Sequence, residues 1–335
     1  MRGEVDVCDL ALITYLVPAE RLERLLFAGL ELQTITWDET SWAFVSASCF
    51  LNHEFRWTPG PSPTWTFHQS TYRTYVRRGA DVGTFFLASY VETLPAALGQ
   101  KLGLAETRTA RFEVDIDRDP AGGYRHYRAA IHADKDRAHL ELTATDPPAA
   151  PPPFDSADQH VRFLTHRLHG YAYSLVGAPI DAPVVHDEMA AYGGRLIDAY
   201  FPPLEVMGLV DPEQQRQPHS VLVAPGTRFQ LLPPIPAPQP RTVTGPIRVE
   251  DRRHRPPGYL TPPATWRHRS LEPAGGRARG GRRWERRRSQ GEGEVRRPGR
   301  FQACPVHQHL PAPLRPVHRG PHPSDTPSRT AGQVR

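Results

Sequence analysis

The stretch Thr66-Phe67-His68-Gln69-Ser70-Thr71-Tyr72-Arg73-Thr74-Tyr75-Val76 decides how the rest of the chain is read. It has the composition of a strand, ends in the turn Arg78-Gly79-Ala80-Asp81, and is followed by a second strand pattern from Thr84 to Val91. Side chains alternate across a strand, so Gln69, Thr71, Arg73 and Tyr75 share one face, and His68, Ser70, Tyr72, Thr74 and Val76 share the other. Neither face is the apolar stripe of an ordinary half-buried strand. A polar row of this kind either faces solvent in an antiparallel sheet or lines an enclosed pocket, and the alternation alone leaves both open.

Working outward, a short helix is expected at Leu94 to Leu102 and a third strand at Arg108 to Ile116. On that strand Ala110, Phe112, Val114 and Ile116 alternate with Arg111, Glu113 and Asp115, which reads as one buried and one solvated face. The turn Asp119 to Gly123 leads into a meander of Tyr124 to His132 and Ala138 to Ala144. Toward the N-terminus, Cys8 to Val17 reads as a strand and Pro18 to Leu26 as a short helix, with the stripe Leu22, Leu25, Leu26 and a stop at Gly29. Strands follow at Leu32 to Trp37 and Trp42 to Leu51; small residues on both faces of the second suggest close packing in a closed sheet. The rigid loop Thr58 to Pro63 is placed at a pocket mouth. Beyond the proline linker Asp146 to Pro153, Ser156 is a candidate N-cap for a helix reaching His166. A further helix is expected over Met189 to Phe201, weakened by Gly193-Gly194, then a helical turn at Leu204 to Leu209. Two final strands, His219 to Ala224 and Thr227 to Leu232, are separated by a Pro225-Gly226 turn.

Tyr72-Arg73-Thr74-Tyr75-Val76, followed by Gly83-Thr84-Phe85-Phe86-Leu87 and a short helix ending in Gly103-Leu104, resembles the acetoacetate decarboxylase-like superfamily, and within it the uncharacterised YqjF-like branch. Phe163-Leu164-Thr165-His166-Arg167 with Tyr171, then Val185-His186, then His219-Ser220 ahead of Gly226 and Phe229 to Pro234 fit in the same order, so the likeness spans about residues 5 to 235. The resemblance implies a β-rich α+β domain: an antiparallel closed or cone-shaped β-barrel with a few short helices around a small-molecule pocket. It also implies a Schiff-base lysine after a helix-terminal Gly-Phe-Pro, made nucleophilic by desolvation beside another cation. Here the corresponding run is Gly103-Leu104-Ala105-Glu106-Thr107-Arg108, which lacks that lysine, and Gln69 and Thr71 stand where the YqjF-like pattern carries Glu and Asn. Lys101, about five residues earlier, is expected on the helix surface.

Composition divides the chain. Residues 1–240 hold 20 Lys+Arg against 29 Asp+Glu, and residues 241–335 hold 21 Arg, no Lys and 7 acids, giving −9 and +14. The first part is long enough for a single β-rich domain. The second has 14 Pro and 11 Gly but only 12 Ile, Leu, Val, Phe and Met, too little apolar surface to offset chain entropy, and reads as a disordered tail. Its Arg-Gly run Gly275 to Trp284 would bind polyanions such as RNA; the alternative is a frameshifted, unselected sequence from GC-rich DNA. Cys8, Cys49 and Cys304 are too scattered for a disulfide framework and fit a reducing compartment. The run Leu10 to Val17 follows Glu4, Asp6 and Asp9 in place of a cationic segment, so it is not a signal peptide, and no run approaches the length of a membrane span. A soluble cytoplasmic protein is expected.

For chemistry, Arg73 would hold a substrate carboxylate bidentately, with Gln69, Thr71, Tyr75 and His186 orienting it or exchanging protons. In His186-Asp187-Glu188 only His186 and Glu188 would point the same way. His166 and His169 could share a helix face, but no third ligand stands at metal spacing, so neither metal nor cofactor is expected. Nucleotide, hydrolase and metalloprotease fingerprints are missing. Three functions stay open: an enzyme acting on a small organic acid without a Schiff-base lysine, a non-catalytic organic-acid-binding protein, and nucleic-acid association through the tail.

Overall fold

The computed structural model describes residues 2–92, 107–134, 136–174 and 176–237. The helix expected at Leu94 to Leu102, with Lys101, and the tail from residue 241 lie outside the described residues.

Strands dominate. β1 (Arg2–Pro18), β4 (Thr40–Thr58), β5 (Trp65–Arg78) and β6 (Asp81–Val91) lie side by side, β11 (His169–Tyr173) and β12 (Pro179–His186) follow, and β14 (Ser220–Leu231) borders the other edge of β1. β12 then pairs with β14 through Val184↔Leu231, Val185↔Gln230 and His186↔Phe229, which closes these strands into a ring. Closure removes the open edges that an isolated sheet would present. Every join is antiparallel except β6 to β11, which is parallel from Gly83 to Phe85 and is the one departure from the expected all-antiparallel barrel. β2 (Glu31–Leu32) and β3 (Thr34–Trp37) add short pieces to β5 and β4, and β7 (Thr107–Thr109) to β6. Asp38 and Glu39, both at positive φ, form the two-residue turn between β3 and β4.

From β14 the sheet continues into an arm of β13 (Tyr192–Tyr200), β10 (Asp136–Asp146), β9 (Tyr124–Ala133) and β8 (Arg111–Arg118). The arm packs on the outer face of the ring. There Ala43, Val45, Ala47 and Cys49 of β4 meet Phe112, Tyr127 and Leu140. Small residues on β4 let the two layers approach closely, as their pattern suggested. On the inner face Leu12, Phe44, Tyr75 and Leu222 meet Val161 and Leu164 of α2 (Ala157–Thr165), so this helix closes one end of the ring. Ser156 caps α2 by accepting a bond from the Gln159 N–H at 3.2 Å, as its position predicted. α1 (Ala19–Glu23) and α3 (Pro202–Val206) are single turns. Among the described residues no helix is long and apolar enough to cross a membrane.

Two expectations are corrected. Met189 to Phe201 is not a helix: it contains strand β13, and the glycines mark close passage instead of a weak helix. A Cβ on Gly193 would lie 2.5 Å from the Pro147 carbonyl oxygen, and one on Gly194 would lie 2.7 Å from Val221 Cγ1. The two final strands are one, because Gly226 continues the ladder opposite Cys8 and no turn interrupts β14. Cys49 is a free buried thiol.

Gly193→Ala should therefore overpack the junction of the arm with the linker, at about 1–3 kcal/mol. Denaturant unfolding should show a lower midpoint; an unchanged midpoint would mean that the backbones are not in contact there.

Candidate functional site

The ring holds a cavity of about 590 Å³ that is partly open to solvent, within the range of small-molecule sites. Its wall divides by chemistry. Away from α2, Val5, Phe55, Trp57, Trp65, Phe67 and Met189 make an apolar half. Trp57 and Trp65 flank the proline loop, so that loop joins two cavity residues. Toward α2 the wall carries Gln69, Thr71, Arg73, Thr165, Arg167 and His186. Among the described residues no Asp, Glu or Lys lines the cavity.

The polar row of β5 faces inward. Thr71 and Ser48 hydroxyls lie 2.7 Å apart, Asn52 Nδ2 donates to Gln69 Oε1 at 3.1 Å, and the Tyr75 and Ser46 hydroxyls lie 2.7 Å apart. These bonds across the β4–β5 pair satisfy groups that would otherwise be costly to bury. Gln69, Thr71, Arg73 and His186 are thus brought to one cavity. Tyr75 is not: it is fully buried behind the wall, its ring against Phe44 and Phe163.

Two guanidinium groups dominate the polar end. Arg73 donates from Nη2 to the Leu164 carbonyl at 3.2 Å, and its Nε is buried with no acceptor. Arg167 donates from Nε to the Phe163 carbonyl at 2.6 Å, and its Nη2 is likewise buried without an acceptor. The Arg167 group lies 4.3 Å from the Phe163 ring centroid and 5.3 Å from that of Tyr75, a cation–π seat. Burial pulls the Arg167 pKa down to about 10, with Tyr75 opposing and the charge of Arg73 adding to the fall. Arg167 stays charged at neutral pH.

His186 ends β12 with Nδ1 2.8 Å from the Asp187 carbonyl oxygen. The Asp187 carbonyl can only accept, which favours the proton on Nδ1; the Arg167 carbonyl also faces the ring, and Nε2 makes no hydrogen bond of ordinary geometry. The ring stacks on Phe229 at 4.1 Å and meets the edge of His166 at 5.1 Å. Burial pushes the His186 pKa below the usual imidazole range; His166 and Arg73 push the same way, and the carbonyls of Asp187 and Arg167 oppose them. The expected pairing with Glu188 is absent, because Glu188 bonds Arg162 at 3.2 Å and is exposed. Nor do His166 and His169 share a helix face: α2 ends at Thr165, and His169 lies in β11 with Nδ1 3.0 Å from Asp181. Among the described residues no group of three or more candidate metal ligands occurs.

Arg167 is the site residue that the sequence reading missed. A cation just past a helix end is ordinarily read as a partner of the last carbonyls. In the sequence the Phe163 to Arg167 run carries a family resemblance and no chemical pattern of its own.

The family model DUF2071, described as an uncharacterized conserved protein (COG2071), matches residues 5–228. No curated protein matches the chain. Similar solved structures include an acetoacetate decarboxylase-like enzyme from Sphingomonas wittichii RW1, at 13% identity over 71% of this chain and 93% of that chain, TM-score 0.46. The enduracididine biosynthesis enzyme MppR complexed with pyruvate matches at 13% identity over 69% and 87%, TM-score 0.42. Acetoacetate decarboxylase from Legionella pneumophila matches at 11% identity over 70% and 85%, TM-score 0.45.

An unfolded histidine titrates near ~6.5 and folded His186 lower, so its contribution to stability is present above that pH and lost as pH falls through it. In an NMR titration the His186 ring should titrate below the ordinary range, and higher in Arg73→Ala than in the wild type. Equal values would mean that the charge of Arg73 does not reach His186.

Proposed function

This chain belongs to DUF2071, a family of uncharacterized conserved proteins, and from that premise we propose that its cavity binds a small organic acid through the carboxylate. One observation carries the reading: two guanidinium groups at one cavity each keep a buried N–H without an acceptor, and no acidic side chain among the described residues lines that cavity. Uncompensated buried charge costs several kcal/mol. An anionic ligand with two oxygens offsets that cost through charge-assisted hydrogen bonds. Gln69 and Thr71 then serve as the internally bonded polar wall, and Tyr75 as a platform under Arg167. A Schiff base plays no part in this reading.

A second reading, catalysis on the bound acid, has its own support in His186. His186 lines the cavity, its Nε2 makes no hydrogen bond of ordinary geometry, and an imidazole whose pKa burial pushes down is suited to taking a proton at neutral pH.

Thermal unfolding of the full chain with a panel of carboxylic and keto acids tests the binding. An acid at a hundred times its Kd should stabilise the fold by about 2.7 kcal/mol, and the shift should vanish in Arg73→Ala or when the acid is replaced by its amide. A cooperative melt that no acid shifts, or a shift that survives Arg73→Ala, would overturn the reading. Turnover of a shifting acid that is lost in His186→Gln would establish the enzyme; binding with no turnover would leave a binding protein.

A further inference from the structure

Resting on the acid-binding reading above, we propose that the ligand is a monocarboxylic acid with a long apolar body, of the medium-chain alkanoic or arylalkanoic class, in place of a short keto acid. Three observations carry this. First, the cavity of about 590 Å³ is far larger than a three- or four-carbon acid requires. Second, among the described residues charge is confined to one end. Arg73 and Arg167 stand beside α2, whereas Phe67 and Trp65 stand six and eight residues back along β5 from Arg73, with Val5 and Val7 of β1 on the same cavity. Six residues of strand span about 20 Å, room for an extended chain behind a carboxylate seated on the arginines. Third, the described wall of this far half is mainly apolar: Val5, Phe55, Phe67, Val91 and Met189 form one apolar cluster, with Trp57 and Trp65 packed against it, and Asn52, opposite Phe67, directs its amide to Gln69.

The consequences are directional. A short acid would leave the apolar walls facing trapped water, so its affinity would come from the arginines alone. Each added methylene that reaches the apolar half leaves water for hydrocarbon, about 0.8 kcal/mol, or roughly fourfold in affinity. A second carboxylate at the far end of the chain would meet no donor among the apolar residues and would be rejected.

Titration calorimetry on the full wild-type chain with butanoate, octanoate, dodecanoate, dodecanedioate and dodecanamide separates the possibilities without any variant. Beyond the length that reaches the apolar half, affinity should rise about fourfold per methylene, on the order of a hundredfold from octanoate to dodecanoate. Dodecanedioate and dodecanamide should each bind at least tenfold more weakly than dodecanoate. Equal affinities for octanoate and dodecanoate, or for dodecanoate and dodecanedioate, would overturn the apolar-body class while leaving acid binding intact. Dodecanamide binding as tightly as dodecanoate would instead overturn the acid reading on which this one rests. Failure of every acid to bind would overturn both.

Discussion

Three residue pairs between β12 and β14 determine whether this sheet has an inside. Val184 to His186 bond alongside Phe229 to Leu231 and join the two ends of the ring. Without them the inner face would be an open groove, wetted and screened. With them the polar row of β5 faces a bounded space in which charges act on one another strongly. The same contact shapes the site, since His186 and Phe229 are both a pair of the closing ladder and a ring stack at 4.1 Å. Ring closure and the position of His186 are therefore a single structural fact.

The arm is tied to the ring by a different device. Register shifts between Cys8 and Ala11 as β1 pairs β4, and Asp9 within that bulge has φ 54. The bulge turns its carboxylate toward the arm, where Tyr124 donates at 2.8 Å and Arg118 forms an ion pair. Burial raises the Asp9 pKa even so, with Arg118 and Tyr124 opposing. The arm thus covers the outer face of β1 and β4 while their inner face stays free to line the cavity.

Local features were readable from the residues, and closure was not. Ser156 as an N-cap needs only its own helix, and the alternation of Gln69, Thr71 and Arg73 needs only a strand; both stand as read. Whether that polar row met water or a pocket depended on the pairing of β12 with β14, more than forty residues apart in the chain, which no local pattern contains. Tyr75 shares the parity of Arg73 but lies deeper, because α2 fills that end of the ring, and alternation gives a face without a depth. Gly193-Gly194 and Pro225-Gly226 misled for one reason: glycine permits turns and weak helices, but it also permits close backbone passage, and only the neighbouring strands show which applies.

The two arginines are where fold and function pull apart. Like charges at one cavity, Arg167 buried and Arg73 partly so, with no acid on its described wall, weaken the folded state, and their presence makes sense if a ligand supplies the missing charge. The most direct measurement is the denaturant midpoint of ligand-free Arg167→Met against the ligand-free wild type. A guanidinium kept for an anion predicts a variant at least as stable as the wild type, because an uncompensated charge has been replaced by an apolar chain of similar length. A clearly lower midpoint would show that Arg167, through its bond to Phe163 and its seat on Tyr75, serves the fold, and would contradict the anion site.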